Sequence, residues 1–179
     1  INLNILKTAL LVSIEPEIGI EKSELKPKHY SELDRIISGR LIKNKIKDYS
    51  NSAEVLVVRT MPNFSKKSIM KYNEDNIPPY FTISAIKQII EAGFKHICID
   101  LPSLDRAIDG GELICHHLFW GIPQKKHNIL GSEPSQNTIT ELVFIPDNII
   151  DGIYLINLQV SNLSLDAAPS RPVLFPIIS

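Results

Sequence analysis

A strand, a helix and a second strand in the middle of the sequence constrain the fold most strongly. Residues 54–59 are apolar on both faces, a pattern typical of a buried strand that is covered on two sides. Thr82 can cap a helix that runs to about Ala92, where Gly93 stops it. Residues 96–100 form another buried strand. A strand–helix–strand unit is normally parallel and right-handed, so the pattern predicts an α/β chain.

Shorter patterns predict the remaining elements. Runs of apolar residues indicate strands, and apolar side chains at near-helical spacing indicate helices. Ser31 is a candidate cap for one helix, and Asp109 with Glu112 has capping-box spacing before another. The predicted strands are residues 9–14, 139–145 (with a short helix as the alternative), 152–160 and 173–178, and the predicted helices are 31–42 and 113–120.

The composition indicates one globular domain over residues 1–179. Its 44% hydrophobic content is too high for a disordered chain. Lys and Arg number 19 against 20 Asp and Glu, which argues against a partner that is nucleic acid or anionic membrane. No apolar run approaches the roughly 18 residues of a bilayer span. The two cysteines, Cys98 and Cys115, are too few for a disulfide scaffold and indicate reduced thiols in a cytoplasmic protein.

One basic cluster lies in the first third of the sequence and allows two interpretations. It is either an anion or nucleic-acid patch or the solvated face of a helix. The second is favoured, because no aromatic residue that could stack on bases comes before Tyr49. The cluster consists of Arg40, Lys43, Lys45 and Lys47.

Among five histidines, the adjacent pair His116 and His117 is the strongest candidate for chemistry. His29 and His127 lie in polar loops, and His96 opens a strand, where a structural role is favoured. Adjacent helical residues point about 100° apart, so one member of the pair faces a given site while the other packs or hydrogen-bonds. Taken alone, such a pair is a weak signal for a metal.

Nearby carboxylates strengthen that signal. Asp100 ends a strand and Asp105 lies in the loop after it, where the binding sites of open α/β sheets cluster. Glu141 lies in an apolar stretch, so it either faces solvent or serves as a ligand or ion-pair partner. Imidazole nitrogen with carboxylate oxygen suits Zn²⁺ or Mn²⁺, and such sites need three or four ligands.

Four segments, in order, resemble the cyclase family of metal-dependent hydrolases, whose activities include kynurenine formamidase and isatin hydrolase. The resemblance runs from about residue 54 to the C-terminus. Residues 54–63 resemble the central strand and loop of that family. The four segments are Ile99-Asp100-Leu101-Pro102-Ser103-Leu104-Asp105, Cys115-His116-His117, Thr140-Glu141-Leu142 and Asp166-Ala167-Ala168-Pro169-Ser170-Arg171-Pro172-Val173.

The resemblance implies a fold, a cofactor and roles for individual residues. The fold is α/β, with a central mixed β-sheet flanked by helices in a swivelling β/α/β arrangement. The cofactor is a divalent metal, Zn or Mn. His116 and Glu141 are the implied metal ligands, and Asp105 and His117 belong to the layer of residues behind the ligands. The linker between the two ligands is longer than in the family, so Glu133 is the alternative to Glu141.

The family signature His-x-Gly-Thr-His-x-Asp, which supplies most metal ligands and precedes the catalytic histidine, is absent from the sequence. The chain also begins at Ile1 without an initiator Met and without a signal-peptide pattern. We therefore expect the C-terminal portion of such a protein, with the catalytic residues upstream and unknown.

Three hypotheses for function follow. The first is a metal-dependent hydrolase that acts on a cyclic or linear amide, at C–N bonds other than peptide bonds. The second is a non-catalytic binding or assembly module of the same fold. The third, nucleic-acid binding, depends only on the basic cluster. The resemblance further implies a small-molecule substrate and a homodimer or homotetramer. Trp120 and residues 78–81 are candidates for an aromatic pocket, although core packing is favoured for both.

Overall fold

A computed structural model describes residues 6–49, 51–124, 136–163, 165 and 167–177. It has nine strands and three α-helices in these residues, with two short 3-10 turns at Lys47–Tyr49 and Ser65–Ile69. The strands are β1 Leu6–Ile14, β2 Glu17–Ile18, β3 Arg35–Ile37, β4 Val55–Thr60, β5 Tyr80–Phe81, β6 His96–Ile99, β7 Thr138–Thr140, β8 Gly152–Asn157 and β9 Val173–Pro176. The helices are α1 Gly39–Ile46, α2 Ile83–Glu91 and α3 Ile114–Trp120.

A six-stranded mixed sheet forms the centre of the fold, in the order β7-β6-β4-β1-β8-β9. Strands β1, β4, β6 and β7 run parallel, whereas β8 is antiparallel to β1 and β9 is antiparallel to β8. A smaller sheet has the order β2-β3-β5. The predicted α/β class, with a central mixed sheet flanked by helices, is confirmed.

The two faces of the main sheet carry separate cores. On the first, which we call the helix face, strands β1, β4 and β6 pack against all three helices. Alternation along β1 explains this, since Leu10, Val12 and Ile14 point to the helix face while Ala9 and Leu11 point away. On the opposite face, a second cluster is covered by the segment after β7 and the chain that follows β8.

Helix α2 and its flanking strands follow the predicted strand–helix–strand unit. Thr82 caps α2 through its side chain, which accepts a hydrogen bond from the Ala85 N–H. Gly93 follows with φ +88°, a left-handed conformation that glycine adopts without strain. Strands β4 and β6 on either side are parallel neighbours. Tyr80 and Phe81, which were candidates for an aromatic pocket, are fully buried in the core, the alternative that the sequence favoured.

The predicted helix over residues 31–42 is wrong in its first half. Residues Arg35–Ile37 form β3, which pairs with both β2 and β5. The helix begins only at Gly39, and its cap is Ser38 rather than Ser31. Sheet pairing that buries Ile36 and Ile37 outweighs the local helical spacing. The basic residues of α1 are exposed, which agrees with a solvated helix face.

The predicted capping box before α3 is also wrong. Asp109 accepts hydrogen bonds from the Gly111 and Leu113 N–H groups, but it lies ahead of the helix and does not cap it. The residue at the N-cap is Leu113, in a left-handed conformation with φ +46°.

The described helices are all too short or too polar to span a bilayer.

Burial makes His96 a source of acid sensitivity. Its ring is buried and shares a hydrogen bond of 2.8 Å between Nδ1 and Thr138 Oγ1, and burial together with the charge of Lys7 lowers its pKa to about 4. The folded state therefore resists protonation that the unfolded chain accepts near pH 6.5. The resulting stability is present above pH 6.5 and is lost as the pH falls toward 4, by about 3 kcal/mol.

We expect His96→Gln to reduce this acid sensitivity. Urea unfolding at pH 7 and pH 4.5 should show a smaller drop in stability for the variant than for the wild type. His29→Gln, at an exposed loop residue, is the matched control and should retain the wild-type drop. An equal drop in all three proteins would contradict the assignment.

Candidate metal centre

His116 and Glu141 come together although they lie 25 positions apart in the sequence. His116 is buried in α3, and Glu141 directly follows β7. The distance from His116 Nε2 to Glu141 Oε1 is 3.2 Å. The same Glu141 oxygen accepts a hydrogen bond of 3.0 Å from the Leu104 N–H. The carboxylate is thereby held between the loop after β6 and the imidazole.

Asp105 lies on the other side of the imidazole. Its Oδ2 is 2.6 Å from His116 Nδ1 and also accepts from the His116 N–H. Its Oδ1 accepts a hydrogen bond of 2.7 Å from the Cys115 N–H. One carboxylate therefore fixes both the ring of His116 and the first turn of α3. Because Nδ1 is occupied, the nitrogen that faces Glu141 is Nε2.

The two carboxylates on either side of the His116 ring determine the electrostatics of the site. Burial alone would lower the pKa of His116, but the hydrogen bonds with Asp105 and Glu141 outweigh it and raise the pKa to about 9. For Asp105, burial opposes ionisation, whereas the imidazole and the two backbone N–H groups favour it, and the net pKa is lowered. The Trp120 ring packs edge-on against the imidazole, with centroids 5.2 Å apart.

His117 turns away from this pair. Its Nδ1 lies 3.2 Å from the carbonyl oxygen of Pro123, beyond the end of α3. This agrees with the rule that one of two adjacent helical residues faces a site. The proposed place of His117 behind the ligands stays a prediction. Glu133 and His127 lie outside the described residues.

The donor set fits part of a metal site. Two ligands about 2.1 Å from a tetrahedral ion are roughly 3.4 Å apart, close to the observed spacing of His116 Nε2 and Glu141 Oε1. A carboxylate on the second ring nitrogen, as Asp105 provides, is the usual support of a metal-binding histidine. Within the described parts of the chain, no group of three or more His, Cys, Asp or Glu side chains could hold a metal.

Asp100, the remaining carboxylate of the sequence analysis, contacts Lys67 and Thr60 and is not part of this site. It lies at the end of β6, buried, where Lys67 Nζ is 2.6 Å from its Oδ2. The Thr60 N–H and hydroxyl donate to the same carboxylate. Burial raises the pKa of Asp100 despite these partners. Sequence reasoning missed Lys67, which lies in a polar loop with no signal of burial.

A cleft of about 660 Å³ opens beside the pair. His116 and Trp120 line it from the helix face, and Leu158, Val160 and the loop 167–170 line it from the opposite face. Between them runs the whole of β7 with its flanking residues. We call this space the edge cleft, because β7 is the edge strand of the main sheet. Trp120 both packs on the core and lines this cleft.

Two leucines with left-handed backbones lie near the pair in the sequence. Leu142 follows Glu141 with φ +59°, and Leu113 precedes α3 with φ +46°. Such conformations are costly for leucine, and strained residues gather at functional sites. Leu142 is 69% exposed, so packing of its side chain does not explain the strain. Its N–H donates to the Leu101 carbonyl, which turns the chain as it leaves β7.

Relieving this strain should stabilise the protein. Leu142→Asn is expected to raise the free energy of unfolding by about 1 kcal/mol, because Asn tolerates the left-handed region. Leu142→Val should lower it, since β-branched residues tolerate that region least. Urea unfolding measures both. Leu33→Asn, at an exposed leucine without positive φ, is the matched control and should change little. A destabilised Leu142→Asn protein would show that the leucine side chain itself is required.

Taken together, the fold is an α/β type with a mixed central sheet and a histidine–carboxylate pair beside its edge strand. Solved structures share this fold. One is described as a potential metal-dependent hydrolase with cyclase activity, with a TM-score of 0.55, 16% identity and coverage of 95% of this chain and 65% of that chain. A predicted metal-dependent hydrolase from Bacillus stearothermophilus gives a TM-score of 0.54 at 16% identity, with 95% and 63% coverage.

These matches show the fold. The chain spans somewhat less than two thirds of the length of either structure. No family model matches the sequence, and no curated protein matches it.

Proposed function

We propose that the chain is part of a metal-dependent hydrolase that acts on an amide, with His116 and Glu141 as two of the ligands of a divalent cation. The observation that carries the proposal is the 3.2 Å approach of His116 Nε2 to Glu141 Oε1, with Asp105 on the far side of the ring. The names of the two structures with the same fold support the same class of reaction. Zn²⁺ or Mn²⁺ suits this pair of donors.

In this proposal, each residue around the cation position has a separate role. When bound, a cation of this kind supplies a Lewis acid and a water of lowered pKa. Asp105 holds the proton on Nδ1 of His116 and so keeps Nε2 directed at the cation position. The Leu104 N–H fixes the Glu141 carboxylate in the same direction. The edge cleft then brings the substrate next to this position. Among the described residues, no third ligand joins this pair.

A non-catalytic binding module is the second candidate. It is favoured by one observation: among the described residues only a pair, and no triplet, of metal-binding side chains converges. Catalytic zinc sites use three protein ligands. In this reading the His116–Glu141 contact is a structural ion pair that closes one end of the edge cleft.

Metal content separates the two candidates. We expect the purified chain, dialysed to equilibrium against Zn²⁺ or Mn²⁺, to hold more metal than the surrounding buffer by elemental analysis. His116→Ala and Glu141→Gln should each lose it. Glu112→Gln, at an exposed carboxylate in the loop before α3, is the matched control and should retain it. Metal bound equally by all four proteins, or by none, would contradict the proposed ligands and favour the binding module.

A further inference from the structure

The outer edge of β7 faces the edge cleft with unpaired backbone groups. In a parallel strand, alternate residues direct their N–H and C=O to opposite neighbours. The Thr138 N–H donates to the Lys95 carbonyl on the β6 side, which directs Thr138 and Thr140 toward β6. The N–H and C=O of Ile139 therefore point away from the sheet. Among the described residues, nothing pairs with them.

The surroundings of Ile139 turn this edge into a groove. The cleft is lined from the helix face by His116 and Trp120 and from the opposite face by Leu158, Val160 and Pro169. Its floor is thus the free edge of the strand. A volume of about 660 Å³ lies within the range of sites that hold a single drug-sized ligand. A single extended chain can lie between these walls. A second folded sheet could pair only with a strand edge that has no walls beside it.

We propose that the edge cleft binds a short extended peptide-like ligand, which adds to β7 as a seventh strand. One N–H and one C=O of the ligand would pair with the C=O and N–H of Ile139, the recognition mode of strand addition. Glu141, two residues along, lies on the same side of the strand as Ile139 and contacts His116. The next amide of a ligand in this register therefore lies beside the proposed metal ligands.

This inference names a substrate class for the proposed hydrolase. It rests on the proposed function only for the hydrolysis of the bound amide, and not for its binding. The class is an amide embedded in an extended chain with further amide groups, such as an N-acylated amino-acid amide. Apolar side chains suit the cleft, because Leu142, Leu158 and Val160 contribute to its walls. Binding itself needs no metal, since the backbone of β7 supplies the hydrogen bonds.

Trp120 provides a direct readout, because it lines the cleft and is the only tryptophan of the chain. The probes are the blocked tripeptide acetyl-Ala-Val-Ala-amide and two analogues, N-methylated at Val or at the following Ala. Only alternate N–H groups of a strand face one neighbour. We expect saturable quenching or enhancement of fluorescence by the parent peptide. One analogue should bind about tenfold more weakly and the other should bind nearly as well as the parent.

Variants of β7 test the site from the protein side. Ile139→Pro removes the outward N–H while leaving the hydrogen bonds to β6 in place, and proline is tolerated on an edge strand. It should weaken peptide binding about tenfold. Ile139→Ala, which keeps the N–H but shortens the side chain, is the matched control for lost packing and should bind within about threefold. Thermal unfolding of each variant verifies that the fold persists.

The outcomes separate this inference from the proposed function. Equal binding of the parent and both methylated analogues, or no binding at millimolar peptide, would overturn the strand-addition site whatever the metal content. Peptide binding that survives in Glu141→Gln and in metal-free protein, together with the expected loss in Ile139→Pro, would support it even if no metal were retained. Retained metal without peptide binding would leave only the proposed hydrolase.

Discussion

Replacing Lys67 with Met is expected to lower the free energy of unfolding by about 3–5 kcal/mol. Lys67 lies in the 3-10 turn after β4, and its side chain is only 6% exposed. Its ammonium donates to Asp100 and to the Thr60 carbonyl, both at 2.6 Å. The Asp100 side chain is 1% exposed, so removing the cation leaves a buried carboxylate without a counter-charge. Urea unfolding at pH 7 measures the loss.

The pH dependence and a second substitution distinguish this cause from simple misfolding. Burial already raises the pKa of Asp100, and without Lys67 it should rise further. The folded Lys67→Met protein would then hold a proton that the unfolded chain releases near pH 4. The penalty is therefore expected to shrink as the pH falls from 7 toward 4 and to return as the pH rises. Adding Asp100→Asn should recover much of the loss at pH 7.

Lys66→Met is the matched control, because the neighbouring lysine on the same turn is exposed. Its stability should stay within about 0.5 kcal/mol of the wild type. A similarly small loss for Lys67→Met would contradict the picture of a desolvated pair. It would indicate that water reaches Asp100 once the ammonium is gone.

The central unit of the fold was predictable because local and tertiary preferences agree there. Strands β4 and β6 are apolar on both faces, and helix α2 has both its Thr82 cap and its Gly93 stop. A strand that is buried between two layers must be apolar on both faces, so this pattern predicts the buried position of both strands. The order of the sheet was not predictable in this way. That β8 lies beside β1 depends on pairing across more than 140 positions, which no local pattern records.

The errors arose where tertiary contacts outweighed local spacing. Ile36 and Ile37 are adjacent in the sequence and both buried, but Ile37 joins the core on the helix face while Ile36 joins a separate cluster with Ile20 and Tyr80. Side chains of neighbouring residues that point to opposite sides are typical of a strand. The start of α3 is a leucine with positive φ, a conformation that the sequence gives no reason to expect. At the candidate site, residue types suggested a metal and the apolar surroundings of Glu141 made it a candidate, but only the family resemblance assigned it as a ligand together with His116. The Asp105 contact with the His116 ring required the loop geometry.

Replacing Asp105 with Asn is expected to weaken metal binding by about 10–100-fold, although Asp105 itself is not a ligand. An amide has one acceptor oxygen where the carboxylate has two. Asp105 now accepts from the Cys115 N–H, the His116 N–H and His116 Nδ1. The NH2 of Asn must oppose one of these donors, so the imidazole loses its fixed orientation. Elemental analysis against a series of chelators measures the affinity.

A metal-free measurement tests the same contact independently. The pKa of His116 is about 9 because two carboxylates outweigh the effect of burial, so Asp105→Asn should lower it. In the wild type, a folded pKa above the unfolded value of about 6.5 gives stability that is fully present below pH 6.5 and lost as the pH rises through 9. Urea unfolding at pH 6 and pH 9.5 should therefore show a smaller difference in the variant. Trp120 fluorescence follows the same titration, since its ring touches the imidazole.

Asp109→Asn separates the orienting role from a general loss of structure. Asp109 is also buried before α3, and it accepts hydrogen bonds from the Gly111 and Leu113 N–H groups without contacting His116. The Asp109→Asn protein should be less stable by about 1–3 kcal/mol, the usual cost of breaking a buried hydrogen bond. Its His116 should still titrate near pH 9. If both variants shifted the titration equally, the loop as a whole would set the pKa. If neither did, Glu141 alone would hold the imidazole proton, and Asp105 would serve only to begin the helix.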